Sequence, residues 1–237
     1  MSRLRKMQLY AITNRNLFLG SEKQRCAALV NLTRNWAHNG MNYIQIREKD
    51  LAPAELRSLT AEIVAAVRKE NQTTRVLLNG PAQIAFEAKA DGVHLPANTP
   101  ANAAEQARTL FAASARDAIL SYACHSLKEV LKAKEESQRN PDATTGNTLI
   151  LYAPVFEKVT PEDNLPGLGL EDLRAAADVA KPIPVFALGG VTKQNAPACI
   201  EAGAAGIAAI RLFLTDNWKS LKPTQPWPRL QTPKMSS

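Results

Sequence analysis

Three histidines and a few charged or glycine-rich clusters hold whatever chemistry this 237-residue chain can do. His125 lies between Cys124 and Ser126, and an imidazole with a reference pKa of about 6.5 can both take and give a proton at neutral pH. Its plainer role is that of a half-buried residue, or one that precedes a helix starting at Ser126. Gln45 and Arg47 are two residues apart, which places them on one side of an extended strand. Arg47 and Lys49 alternate with Glu48 and Asp50, so these four residues form either two free cations or a salt-bridged strand end. Leu188-Gly189-Gly190-Val191 lets the backbone come close to an anion, because glycine has no Cβ in the way, or else makes a tight turn between a strand and a helix. Arg211 closes the run from Gly206 and either neutralises a bound phosphate or fills the pocket. His94, inside an apolar stretch, reads as a packed, hydrogen-bonded residue, and His38 as a helix-terminal one.

Such residues act together only if the chain brings them to one place. Apolar runs predict strands over Leu9–Thr13, Tyr43–Ile46, Val76–Leu78, Gly92–Leu95, Ile119–Ala123, Thr148–Tyr152, Pro184–Leu188 and Gly206–Ala209. Between them, apolar residues at three- and four-residue spacing predict helices over Glu22–Ala37, Pro53–Arg68, Pro81–Lys89, Ala101–Ala113, Ser126–Ser137, Leu170–Ala180 and Lys193–Ala202. Strands apolar on both faces and alternating with helices imply parallel pairing under helical cover. Eight such units in one chain of this length predict a single small (β/α)₈ TIM barrel spanning residues 7–216. The first turn, Thr13-Asn14-Arg15-Asn16, has none of the glycines of a dinucleotide-binding open sheet. In a TIM barrel the site forms on the loops that follow the strands. That rule selects Arg47 and Lys49, Asn79-Gly80, His125, Glu157-Lys158, Gly189-Gly190 and Arg211. The last two loops are where such barrels often bind phosphate. Ala153–Gly169 is an unusually long loop.

The composition excludes several classes. Hydrophobic residues make up 45% and charged residues 22% of the chain, the balance of a globular domain rather than a disordered or collagen-like one. The net charge of +7 comes from Arg3, Arg5 and Lys6 at one end and Lys219, Lys222, Arg229 and Lys234 at the other. The body is neutral and shows no basic stripe for nucleic acid. No apolar run is long enough to cross a membrane. Cys26, Cys124 and Cys199 form no CxxC, which fits buried thiols in a reducing compartment, and the N-terminal segment lacks the apolar core of a signal peptide. These features together predict a cytoplasmic protein. The Pro-rich basic tail 217–237 is expected to be poorly ordered, although Trp218 and Trp227 could dock on the barrel. Association with further copies of the chain stays open.

Several stretches resemble the thiamine phosphate synthase/TenI superfamily: LYAIT from Leu9, QIREKD from Gln45, ADGVHL from Ala90, PVF from Pro154 and ALGGV from Ala187. The resemblance spans about residues 9–215 and implies a barrel that binds a small phosphorylated thiazole or pyrimidine. It places Gln45 against the ring of the substrate, with Arg47 and Lys49 on a carboxylate or diphosphate. Asn79, Lys158, Gly189, Gly190 and Arg211 complete the expected substrate-binding set. The synthase branch couples a pyrimidine diphosphate to a thiazole phosphate with magnesium, which needs hard oxygen ligands. Its Asn-Asp pair after the third strand is Asn79-Gly80 here, and the segment after His94-Leu95 reads Pro96-Ala97-Asn98-Thr99 without a carboxylate. Glu157 or Asp50 could substitute. The other branch resembles thiazole tautomerase, which needs an acid/base group and no metal. The segment Cys124–Glu129 is similar to that branch's HSLEEA, and the match gives His125 the catalytic role. The expectation is therefore a TenI-like tautomerase without a cofactor. The alternatives are a magnesium-dependent synthase and a non-catalytic binding or regulatory homologue.

Overall fold

The computed structural model describes residues 7–100, 102–139, 147–159 and 164–221. Strands and helices alternate as the apolar spacing requires. They run β1 (Gln8–Ile12), α1 (Glu22–His38), β2 (Tyr43–Ile46), α2 (Pro53–Glu70), β3 (Arg75–Leu78), α3 (Ala82–Glu87), β4 (Gly92–Leu95), α4 (Ala103–Ala112), β5 (Ile119–Cys124), α5 (Leu127–Gln138) and β6 (Thr148–Tyr152). Then follow β7 (Lys158–Val159), β8 (Asn164–Leu165), α6 (Gly169–Ala180), β9 (Val185–Ala187), α7 (Ala196–Glu201) and β10 (Gly206–Ala209). Eight parallel strands close into a barrel in the order β1-β10-β9-β6-β5-β4-β3-β2. Closure falls at β1, where Tyr10 stands opposite Ala208 on one side and Tyr43 on the other. The fold is the single TIM barrel that the sequence predicts.

The two-residue period of each strand sorts side chains into two cores. Tyr10, Ile12, Leu77, Leu149, Leu151, Phe186 and Ala208 fill the barrel interior. Their neighbours, such as Leu9, Ile44, Val76, Val93 and Cys124, pack outward against the helices. Local signals start the helices. Ser21 and Gln24 form a reciprocal capping box at α1, and Pro53 occupies the first turn of α2.

Three features depart from the sequence expectation. A 3-10 turn, Arg15–Leu17, follows β1. The long segment after β6 carries the antiparallel pair β7-β8 rather than plain loop. The expected disorder after residue 217 is corrected for the first five tail residues, because Asp216–Leu221 is a 3-10 helix. Trp218 anchors it: fully buried, its ring meets the edge of Phe213 at 5.7 Å, and Trp36 of α1 donates to the Phe213 carbonyl at 2.8 Å. Trp227 lies outside the described residues. Among the described residues no helix is long and apolar enough to cross a membrane.

Candidate active site at the C-terminal mouth of the barrel

Parallel pairing aligns the C-terminal ends of all eight strands, so the loops that follow them share one mouth. Arg47, Lys49, Asn79, His125, Gly189, Gly190 and Arg211 all sit on these loops or strand ends. Lys158 lies on β7, in the segment after β6, and its side chain is outside the described part.

Arg15 decides the charge balance at the β1–β2 edge. Its side chain is 4% exposed and makes a fork to Asp50 at 2.7 and 2.8 Å, a bond to Glu48 at 3.1 Å and a short contact with Glu22. Glu48 is buried and also accepts from the Arg15 N–H at 3.1 Å and from the Thr13 hydroxyl at 2.5 Å. The Arg15 guanidinium holds the Asp50 carboxyl well below the usual carboxylate range. The salt-bridged strand end among residues 47–50 therefore does not form. Glu48 and Asp50 belong to Arg15, and the side chains of Arg47 and Lys49 have no bonded partner among the described residues. Arg47 is half-buried and Lys49 exposed, so among the described residues nothing competes with an anion for either cation.

His125 stands exposed beyond the end of β5. Its Nδ1 lies 2.6 Å from the Ala153 carbonyl oxygen. That oxygen can only accept, so Nδ1 carries a proton, and in the neutral ring Nε2 presents its lone pair. Its backbone N–H is held by the Glu129 carboxylate in the first turn of α5. The neighbouring Cys124 points into the outer core, where burial pushes its thiol up to about 12. It is a packing residue.

Gly189 and Gly190 have φ of +93° and +61°. A Cβ on Gly189 would lie 2.6 Å from Cα of Pro154, and one on Gly190 2.7 Å from the Glu157 carbonyl oxygen. The pressing neighbour of both glycines is thus the segment after β6, which the plain turn reading of the sequence did not foresee. Val155 and Phe156 donate to the Leu188 and Gly189 carbonyls at 2.8 and 3.1 Å. The N–H groups of both glycines donate to no described residue. Arg211 opens the 3-10 turn Arg211–Phe213 after β10 and is exposed without a bonded partner among the described residues. It does not fill the barrel.

Below the mouth a polar chain crosses the apolar interior. Asn79 Nδ2 lies 3.4 Å from Gln45 Oε1, Gln45 Nε2 donates to the Tyr10 hydroxyl at 3.1 Å, Tyr10 donates to Ser121 Oγ at 3.2 Å, and Ser121 Oγ lies 3.1 Å from His94 Nδ1. Gln45, Tyr10, Ser121 and His94 are all buried. Burial pushes the Tyr10 phenol up to about 12. Burial first, and then the nearby charges of Arg47 and Lys49, push His94 down to about 3. His94 is the packed, hydrogen-bonded residue that the sequence indicates, and Gln45 is committed to Tyr10. Sequence reasoning missed Arg15, Tyr10 and Ser121. The available signal was a lone serine at an inward position of an otherwise apolar strand, since a buried hydroxyl requires a partner.

Magnesium, which the synthase branch implies, needs hard oxygen ligands at this mouth. Asn79-Gly80 and Pro96–Thr99 supply no carboxylate, and Glu48 and Asp50 are held by Arg15. Among the described residues no three His, Cys, Asp or Glu side chains cluster to hold an ion. The described donor set does not fit a hard divalent cation.

Comparison with known proteins identifies the family. A family model described as thiamine monophosphate synthase matches residues 9–213. The chain is 30% identical over 208 residues to a putative thiamine-phosphate synthase 2 of Aquifex aeolicus, covering 87% of this chain and 97% of that protein. It is 31% identical over 212 residues to a putative thiamine-phosphate synthase of Geobacter sulfurreducens, covering 88% and 87%. Among solved structures, a thiamine phosphate pyrophosphorylase from Pyrococcus furiosus superposes with a TM-score of 0.68 at 24% identity, covering 92% of this chain and 93% of that one. That last likeness speaks for the fold alone.

Proposed function

The chain belongs to the thiamine monophosphate synthase family, and on that footing we propose that it acts in thiamine biosynthesis as a TenI-like tautomerase of a phosphorylated thiazole. The observation that carries this reading is His125. Its Nδ1–H is tied to the Ala153 carbonyl, so Nε2 is left as a base at the mouth. Nε2 takes a proton from one position of the partly reduced-looking, non-aromatic ring and returns it at another. The ring becomes aromatic with no net gain or loss of protons or electrons. Arg47 and Lys49 hold the carboxylate of the substrate, and the N–H groups of Gly189 and Gly190, with Arg211, hold its phosphate. Lys158 and Asn79 stay candidates for the same ligand. None of these steps calls on a metal. Residues 124 and 199, buried cysteines without a disulfide partner, suit the reducing cytoplasm that we infer for the protein.

A second reading is the synthase itself, and the names of the relatives favour it. It would need magnesium ligands from outside the described donor set. One assay separates the two. The carboxylated thiazole phosphate is followed in EDTA, and in parallel thiazole phosphate plus pyrimidine diphosphate is followed with and without magnesium. The tautomerase converts the first substrate in EDTA, and His125→Ala loses that turnover by about 100-fold or more. Thiamine phosphate formed only with magnesium would establish the synthase instead. Binding without conversion in either arm would point to the non-catalytic homologue.

A further inference from the structure

The polar chain inside the barrel has a direction, and the direction sets the chemistry at its far end. Tyr10 has one hydroxyl hydrogen. Because Gln45 Nε2 donates to its oxygen, that hydrogen goes to Ser121 Oγ. Ser121 also has one hydrogen, and having accepted from Tyr10 it has only His94 Nδ1 left to serve, at 3.1 Å. Nδ1 of His94 therefore accepts, and the neutral ring carries its proton on Nε2. Nε2 has no partner among the described residues. His94 also lines a cavity of about 990 Å³ whose walls include Asn79, the residue at the other end of the chain. Val93, Leu95 and Pro96 add apolar wall beside them, and α3, α4 and the segment between β4 and α4 supply the rest, with the polar side chains of Asn102, Glu105 and Gln106.

We propose that Tyr10 and Ser121 are positioning residues that lock His94 into a single neutral tautomer, so that His94 Nε2–H is a fixed, uncharged donor for an acceptor atom of an aromatic ring bound in this cavity. A neutral donor beside the Asn79 amide, in a cavity whose lining among the described residues includes the Glu105 carboxylate and no Lys or Arg, selects an uncharged heterocycle with a ring nitrogen or carbonyl rather than an anion. Burial keeps the imidazole uncharged at neutral pH. His94 is thus the opposite of His125: one presents a hydrogen, the other a lone pair. That the ring is a thiazole rests on the functional reading above. The tautomer does not.

The test is imidazole nitrogen NMR on the ¹⁵N-labelled full chain at pH 7.5, with Tyr10→Phe and Ser121→Ala as variants. Tyr10→Phe deletes only one oxygen, so it keeps the experiment decisive if Ser121→Ala folds badly. The expected result is one Nε2–H tautomer for His94 in the unmodified protein and a mixture of both tautomers in the variants. A proton on Nδ1 in the unmodified protein, which would mean a chain running the other way, overturns the proposal. So does a single Nε2–H tautomer that persists in the folded variants. Calorimetry supplies a second readout. The variants should bind thiazole phosphate about five- to tenfold more weakly, the effect of one hydrogen bond, and inorganic phosphate unchanged. Equal loss for both ligands, or for neither, overturns the ring-donor role. If the unmodified protein takes up no thiazole phosphate, the functional reading fails and the spectra still decide the tautomer.

Discussion

Arg15→Met is the sharpest probe of how the mouth keeps its cations free. Methionine keeps much of the apolar stem and removes the guanidinium, leaving Glu48, whose side chain is 1% exposed, without its counter-charge. The Thr13 hydroxyl and one backbone N–H remain as its donors. Asp50 and Glu22 are about half exposed, at 57% and 46%, so water compensates most of what they lose. The cost therefore comes almost wholly from Glu48, at about 3–5 kcal/mol for a buried charge stripped of its partner. Against a typical domain stability of about 5–15 kcal/mol, the variant should fold but unfold at much lower urea concentration. Adding Glu48→Gln removes the orphaned charge, and the double variant should recover at least about 2 kcal/mol. Asp50, released from Arg15, becomes available to Lys49 or Arg47, so phosphate affinity should fall as well. Urea unfolding of the two single variants and the double variant, with phosphate calorimetry on the same samples, reads all of this. A loss below about 1 kcal/mol for Arg15→Met, or a double variant no more stable than the single one, would refute the reasoning that Glu48 depends on Arg15.

Two further outcomes follow from the same site. His94 sits at about 3 in the folded protein against a reference of 6.5, so on acidification the unfolded chain takes up the proton first and stability falls. The contribution is complete above pH 6.5 and is lost as pH drops toward 3, at about 1.4 kcal/mol per unit. Urea unfolding between pH 6.5 and 5 should show a loss of about 2 kcal/mol that His94→Gln abolishes, and equal slopes in both proteins would contradict it. Gly189→Ala forces an alanine to φ +93° with its Cβ 2.6 Å from Pro154 Cα. It should cost about 2–5 kcal/mol, from conformation and overpacking together, and weaken phosphate binding by shifting the loop after β9. A stable variant with unchanged phosphate affinity would count against the close-packed loop pair.

Sequence alone determined the elements and the class of fold, because both rest on local periodicity. Alternation by two in Tyr43–Ile46 and spacing by three and four in Pro53–Glu70 are properties of a few consecutive residues. Eight such units in about 200 residues leave little besides a barrel. The same periodicity separates His125 from Cys124 and sets Gln45 and Arg47 on one side. It could not say which acid would take which cation. Glu48 and Asp50 have Arg47 and Lys49 as chain neighbours, yet Arg15, 35 residues before Asp50, claims both. The reason is that strand register places the turn after β1 over the end of β2, and burial makes an unpaired Glu48 too costly to leave. Nor could it say that Tyr10 and Ser121, 111 residues apart, meet across the barrel and pass a hydrogen bond to His94. Those contacts exist only once the sheet closes on itself, since closure alone brings opposite strands within hydrogen-bonding reach.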